Sequence, residues 1–389
     1  MVGRHVRADT RRPRRRAWIG ALVAVAVLGG GAAGIGALGA APNGSTSNSS
    51  TSSTSGPSST SSTSSTTSTM VNRPTVDIAA VGDTELGNMP QLPSNPSTYL
   101  DTVKQALAAP IVFGNLEGTL TNSTGSKCVT PSIYCYAFRV PPSFARAYRQ
   151  AGFTILNSAN NHAFDFGSAG ALDTTAALHA AGIVQAGLPG EIGIVHEGAT
   201  KVAFVDFAPY YNTNNLLDVT TAVQLIDRAK HLANVVVVYM HAGAEGTAAD
   251  HVTRTYETFY GENRGNPYAF AHVAINAGAD LVIASGPHVL RGLQWYRGHL
   301  IDYSLGDFTN YYDFATIGDL RLSAILHVVL GADGRFHSGR FTSLVLSPSG
   351  QATLDPTGGA ATFVNQLSRQ DFGASAALIG PAGVISPPA

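Results

Sequence analysis

Phe153-Thr154-Ile155-Leu156-Asn157-Ser158-Ala159-Asn160-Asn161-His162-Ala163-Phe164-Asp165-Phe166-Gly167 carries the decision about the fold. A short apolar run with a β-branched residue stops at Asn157. Polar residues then crowd into a few positions. The following Ala/Leu-rich stretch, Ala169 to Ala181, is predicted as a helix that stops before Gly182. A strand that ends in polar residues and passes into a helix is the repeating unit of an α/β fold.

Working outward, the unit recurs. Val76-Asp77-Ile78-Ala79-Ala80-Val81 runs into Gly82-Asp83, and Pro110-Ile111-Val112-Phe113 into Gly114-Asn115-Leu116-Glu117. Val235 through Met240 runs into His241-Ala242-Gly243-Ala244-Glu245, and Asp280-Leu281-Val282-Ile283 into Gly286-Pro287-His288. His299-Leu300-Ile301-Asp302-Tyr303 runs into Leu305-Gly306-Asp307-Phe308. Asp218 to Ala233 reads as a helix with Val219, Val223 and Ile226 on one stripe. Such alternation predicts buried, largely parallel strands, and ligand sites of such folds gather at the carboxyl ends of the strands. The polar clusters fall at those ends.

The side chains there suit a divalent metal: carboxylates of Asp83 and Glu117, the amide of Asn161, and imidazoles of His162, His241 and His288. Mixed oxygen and nitrogen donors without thiolates fit Mn, Fe or Zn, as one or two ions. Two ions about 3.5–4 Å apart can activate water and clamp a phosphoryl group. An imidazole off the metal can protonate a leaving group. Each residue alone also has an ordinary reading: Asp83 as a helix N-cap or turn, Asn160 and Asn161 as turn residues, His241 and His288 as hydrogen-bonded core histidines. Their coincidence at strand ends favours a site.

At these residues the sequence resembles the CapA family of poly-γ-glutamate capsule synthesis proteins, which is similar in fold to calcineurin-like metallophosphoesterases. The matching pieces are Val81-Gly82-Asp83 with Leu86-Gly87, Asn115-Leu116-Glu117, Ala159 to Gly167, His241 to Glu245, Gly286-Pro287-His288-Val289, and Tyr303-Ser304-Leu305-Gly306-Asp307-Phe308. The resemblance covers about residues 74–330. It implies a four-layer α/β/β/α sandwich. It also implies metal ligands at Asp83, Glu117, Asn161, His241 and His288, with His162 as the catalytic imidazole assisted by Asp165. Asn115, Asn160, Glu245, Ser285 and Asp307 would orient ligands or bind substrate. Two positions depart from the pattern: Ser285 stands for an earlier imidazole, and Asp307 stands for an Asn and is a candidate compensating ligand.

Composition bounds the rest. The 389 residues sum to a net charge of -1, yet the first sixteen hold seven Arg and one Asp, which leaves residues 17–389 at -7. An acidic body argues against nucleic-acid binding. The chain contains neither a P-loop nor a nucleophile-elbow motif. Its two cysteines, Cys128 and Cys135, lie in a Pro/Ser-rich loop and are expected to form a local disulfide.

The expected organisation is a basic cytoplasmic arm over 1–16, a transmembrane anchor or signal segment over 17–41, a disordered Ser/Thr-rich linker over 42–72, the main domain over 73–330, and a hairpin, short helix and tail over 331–389 covering a sheet edge. The 25 uncharged residues Ala17 to Ala41 are long enough as one helix to cross a roughly 30 Å hydrocarbon core. Arginines before them place the N-terminus in the cytoplasm and the body outside the cell membrane. A cleaved signal peptide is the rival, and would leave the body secreted. Ser45 to Thr69 holds 22 Ser/Thr in 25 residues and has nothing apolar to bury.

Two functions follow. One is a metal-dependent hydrolase acting on a phosphoester or surface polymer. The other is a non-enzymatic factor that binds, tethers or exports an anionic polymer beside other capsule-synthesis membrane proteins, with Arg139, Arg291, Arg297 and Arg321 as candidate polymer contacts.

Overall fold

The computed structural model describes residues 74–129 and 135–387. The arm, anchor and linker expected over 1–72 lie outside the described residues. Among the described residues no helix is long and apolar enough to cross a membrane.

Two sheets form the body. The first runs, in spatial order, Ala352–Leu354, Phe336–Leu346, Leu322–Gly331, Thr75–Thr84, Ile111–Leu116, Ile155–Asn157 and Val184–Ala186. Its last four strands are parallel and its first three antiparallel. The second runs Leu293–Tyr296, His299–Asp302, Leu281–Ser285, Val235–His241, Thr200–Phe207 and Gly193–Glu197, parallel in its middle and antiparallel at both edges. The expected α/β class is borne out. The expectation of largely parallel strands holds for one half of the first sheet and the middle of the second, while strands joined by short connections pair antiparallel.

Strand periodicity explains the packing, since alternate residues point to opposite faces. Val76, Ile78 and Ala80 with Ile111 and Phe113 meet Phe204, Val237, Tyr239 and Ile283 of the second sheet. Phe113 and Phe204 stack with centroids 5.1 Å apart. The opposite face of the first sheet, Ala79, Val81, Val112 and Leu156, packs on the helices Ala145–Ala151 and Gly167–Ala181. The opposite face of the second, Val205, Phe207, Val236 and Val238, packs on Val219–Leu232 and Pro267–Ala277. Helices therefore cover both outer sides of a pair of facing sheets.

Helix signals are local and mostly hold. Gly182 caps its helix in the left-handed region at φ 70°, and Asp218 caps the next by accepting from Thr221 N. The predicted stripe is displaced there. Val219 is exposed, and Ala222, Leu225, Ile226 and Ala229 face the sheet. The cap turns Val219 outward in the first turn.

The hairpin expected near 325–346 is present and longer, Leu322–Gly331 with Phe336–Leu346. The C-terminal helix Gly359–Phe372 does more than cover an edge. Ala360 and Val364 enter the core between the sheets. Ser343 Oγ accepts from Ala361 N on one side, and Ser368 Oγ accepts from Leu293 N on the other. Cys128 and Cys135 are joined in a disulfide.

Candidate metal centre

The two sheets bring their polar strand ends together. Asp83 lies in Thr75–Thr84, Glu117 follows Ile111–Leu116, and His162 follows Ile155–Asn157. His241 and Ser285 end their strands in the second sheet. After the second sheet the chain crosses back, and Asp307–Thr309 pairs with the first strand in parallel, Asp83 opposite Asp307. Gly82 makes that approach possible, because a Cβ there would overlap Gly306 O. His288 sits at φ 59° after Gly286-Pro287. Such left-handed backbone in an L-residue costs about 1–2 kcal/mol and persists where the surroundings impose it.

Ligand atoms of Asp83, Glu117, His288 and Asp307, all buried, lie within 4.8 Å of one another. Glu117 Oε1 is the hub. It stands 3.9 Å from His162 Nε2, 3.7 Å from His241 Nε2 and 3.9 Å from His288 Nε2. Those gaps are too long for hydrogen bonds. Both Glu117 oxygens are buried without a hydrogen-bond partner, as is Asn161 Oδ1. Orphaned carboxylate oxygens among imidazoles are costly unless a cation completes them. The donor set therefore fits a divalent ion of the Mn, Fe or Zn kind.

Electrostatics agree with a cation-shaped site. Burial, reinforced by the Asp83 carboxylate, pushes Glu117 well above the usual carboxylate range. Burial also works upward on Asp83, but hydrogen bonding to His288 and the His241 and His288 charges prevail and hold it at about 2. Burial works downward on His288 and is overcome by Asp307 and Glu117, so it rises well above an ordinary imidazole. His241 is driven well below by burial, with Arg264 and His288 adding to it. The carboxylates around His288 thus favour positive charge at this place.

His162 lies beside this cluster. Its Nδ1 is 2.8 Å from Asp165 Oδ2. Asp165 is itself held by Lys127 Nζ at 2.6 Å and by Phe138 N at 2.6 Å. Burial lowers His162 below its ordinary value despite Asp165. Phe138 packs on the His162 ring and Phe314 on the His288 ring, at 4.4 and 4.5 Å, and the two phenyl rings touch at 5.3 Å.

Other expected site residues prove to be internal braces. Asn115 donates to Asp83 Oδ1 at 2.6 Å and accepts from Asn157 and Asn160 Nδ2 at 2.6 and 2.9 Å. Asn160, also bonded to Leu116 O and His162 N, is buried and offers no substrate contact. Ser285 Oγ donates to Asp83 Oδ1 and meets Tyr239 OH, so it positions Asp83. The place facing the His241 ring belongs to Gly286, where a Cβ would lie 3.2 Å from that ring. Glu245 Oε2 is 3.7 Å from His288 Nε2. Arg291 drops out as a polymer contact because it is buried against Glu257 at 2.7 Å.

Fold and site together define an α/β protein whose strand ends converge on a buried carboxylate–imidazole cluster. The family described as bacterial capsule synthesis protein PGA_cap matches residues 77–312, and the chain belongs to that family. It is 30% identical over 218 residues to the PGA biosynthesis protein CapA of Bacillus subtilis, covering 52% of this chain and 53% of the relative. It is 29% identical over 185 residues to the capsule biosynthesis protein CapA of Bacillus anthracis, covering 42% and 41%. The chain thus spans about half the length of the curated relatives it matches. Among solved structures it is similar to a 5'-nucleotidase precursor from Thermus thermophilus (TM-score 0.40, 12% identity, 76% of this chain and 59% of that one). A purple acid phosphatase from yellow lupin is another (TM-score 0.35, 11% identity, 73% and 53%).

Sequence reasoning missed Arg264 and Phe314. Phe314 comes from a loop, and Arg264 follows a two-residue strand, Glu262–Asn263, that belongs to neither main sheet. The one local signal for Arg264 was a charged residue in the Gly/Asn-rich turn before the Asn266-Pro267 helix start.

Proposed function

We propose that this chain is a membrane-anchored, extracytoplasmic protein that takes part in making capsular poly-γ-glutamate or a related anionic surface polymer. It does so through a divalent-metal site of metallophosphoesterase type that supports hydrolysis. The family membership and the names of the Bacillus relatives support the polymer class. The carrying observation for the chemistry is Glu117, whose two buried oxygens lack partners while three imidazoles surround one of them at 3.7–3.9 Å. The apolar run Ala17 to Ala41 after an Arg-rich arm supports the anchor.

Asp83, Glu117, His288 and Asp307 would hold the ion, with Asn161 as a further oxygen donor. A bound divalent ion supplies Lewis-acid polarisation of an ester or phosphoryl oxygen. Asp165 fixes the His162 ring through Nδ1, which leaves Nε2 on the cluster side to exchange a proton with a leaving group. Asn115 and Ser285 keep Asp83 aimed. The test is hydrolysis of an aryl phosphate by the full chain loaded with Mn, Zn or Fe. Activity that disappears with chelator and in H162A supports the reading. A metal-free protein inert with every ion overturns it.

One observation favours the second reading, a non-enzymatic polymer-binding or export factor. Phe138 and Phe314 lie over the two imidazoles that a substrate would have to reach. Polymer cosedimentation that is insensitive to chelator, with no hydrolysis, would select it.

A further inference from the structure

Arg264 is a buried charge that the reading above leaves unused. Its side chain is 1% exposed. The residue follows Glu262–Asn263 and precedes the helix Pro267–Ala277. Its backbone is pinned at both ends: N donates to Glu257 O and O accepts from Gly243 N, each at 2.9 Å. The guanidinium reaches across the strand ends of the second sheet. Nη1 donates to Glu245 Oε1 at 2.6 Å, and Nη2 lies 3.4 Å from both Gly286 O and His241 Nε2. Nε is buried with no hydrogen-bond partner.

A guanidinium only donates and stays charged. Arg264 therefore sets a fixed positive charge 3.4 Å from His241 Nε2, and that charge opposes a cation at this nitrogen. The other nitrogen, Nδ1, is enclosed by Asn115 Nδ2 at 3.3 Å, Tyr239 OH at 3.4 Å and Asp83 Oδ1 at 3.7 Å. Gly286 adds no side chain on this flank. The opposite flank is furnished differently, with His288 and Asp307 joining Asp83 and Glu117. The cluster is thus uneven: His288 and Asp307 add donors beside Asp83 and Glu117, whereas a fixed positive charge stands by His241.

We propose that Arg264 is the second positive pole of this centre. The chain binds one divalent ion on the Asp83, Glu117, His288 and Asp307 side. An oxyanion, a phosphate or a carboxylate, is gripped between that ion and the guanidinium in the place where the Glu245 carboxylate bridges Arg264 Nη1 at 2.6 Å and His288 Nε2 at 3.7 Å. The proposal rests on the metal reading and goes beyond it in fixing the ion count and the anion partner.

The test counts ions and anions on the full chain. Mn is titrated in, bound ions are counted after equilibrium dialysis, and their spin coupling is read by paramagnetic resonance. Binding of inorganic phosphate and, separately, glutarate to the Mn-loaded chain is then measured by calorimetry in wild type, R264K and R264M. One uncoupled ion per chain is expected. Affinity for at least one anion is expected to fall about tenfold or more in R264M, and less in R264K, with the His288-side ion retained. The anion that responds distinguishes a phosphoester from a polymer carboxylate. Two coupled ions in the wild type overturn the proposal while leaving the metal reading standing. No ion in the folded wild type overturns the metal reading itself. One ion with anion affinity absent, or equal in all three proteins, removes Arg264 from the site. If circular dichroism shows R264M unfolded, the R264K comparison decides.

Discussion

Nδ1 of His288 lies 2.7 Å from Oδ1 of Asp307, across nineteen residues of sequence. The contact exists because the strand bearing Asp307 leaves the second sheet and pairs beside Asp83 in the first. It aims the His288 ring so that Nε2 faces Glu117 and Glu245. A carboxylate that orients a ligand imidazole also raises its basicity.

Asp307→Asn keeps an acceptor for His288 Nδ1 and deletes only the charge. Metal affinity, measured by calorimetric titration, should fall about 10–100-fold. Unchanged affinity would take Asp307 out of the centre.

Glu117→Gln should separate the metal-free protein from the loaded one. The buried, unpartnered carboxylate burdens the metal-free fold, so the chelated variant should be more stable than wild type by on the order of 1 kcal/mol. The rise in Tm on adding Mn should be lost, since that rise comes from binding to the folded state alone. Thermal scans with and without chelator give both quantities.

His162→Ala should reduce turnover by about 10²–10⁴ while leaving Mn affinity unchanged. The wild-type pH–rate profile should carry its basic limb below pH 6.5, because the donating imidazole must be protonated and burial lowers His162 from that value. A variant that loses metal and activity together would make His162 a ligand and not the proton carrier.

Asp302 bears on stability against pH. Burial raises it from 3.8 to about 8, and its Oδ1 has no partner. The folded state thus holds a proton that the unfolded chain releases near pH 4. Its contribution is fully present below pH 4, falls as pH rises, and is exhausted above about pH 8. Asp302→Asn can still accept from Ala284 N and should gain stability over wild type progressively between those limits. Denaturant melts at pH 5 and pH 9 check this, and an equal difference at both would refute the assignment.

How much was legible beforehand differs by residue. Asp83, Glu117 and His288 were readable because each stands at or shortly after the carboxyl end of a strand, where chain direction alone places it. His162 and Asp165 were readable as a pair, three residues apart, and their hydrogen bond is local. Asn160 and Ser285 were expected to orient ligands or bind substrate, and sequence did not choose between the two, because which way a polar side chain turns at a strand end depends on what packs there. For Ser285 that partner is Asp83, 202 residues away. Arg264 had no periodic context, since a loop carries no face.

The amino-acid sequence by itself determined the α/β class, the strand ends that carry donors, the helix caps and the kinds of ligand atom available. These follow from spacing and residue chemistry over a few positions. Only the tertiary structure decided that Asp307 stands opposite Asp83, that Arg264 confronts His241, and that the C-terminal helix bridges both sheets. Those arrangements depend on sheet register and on long-range packing, which bring together residues that no local pattern relates.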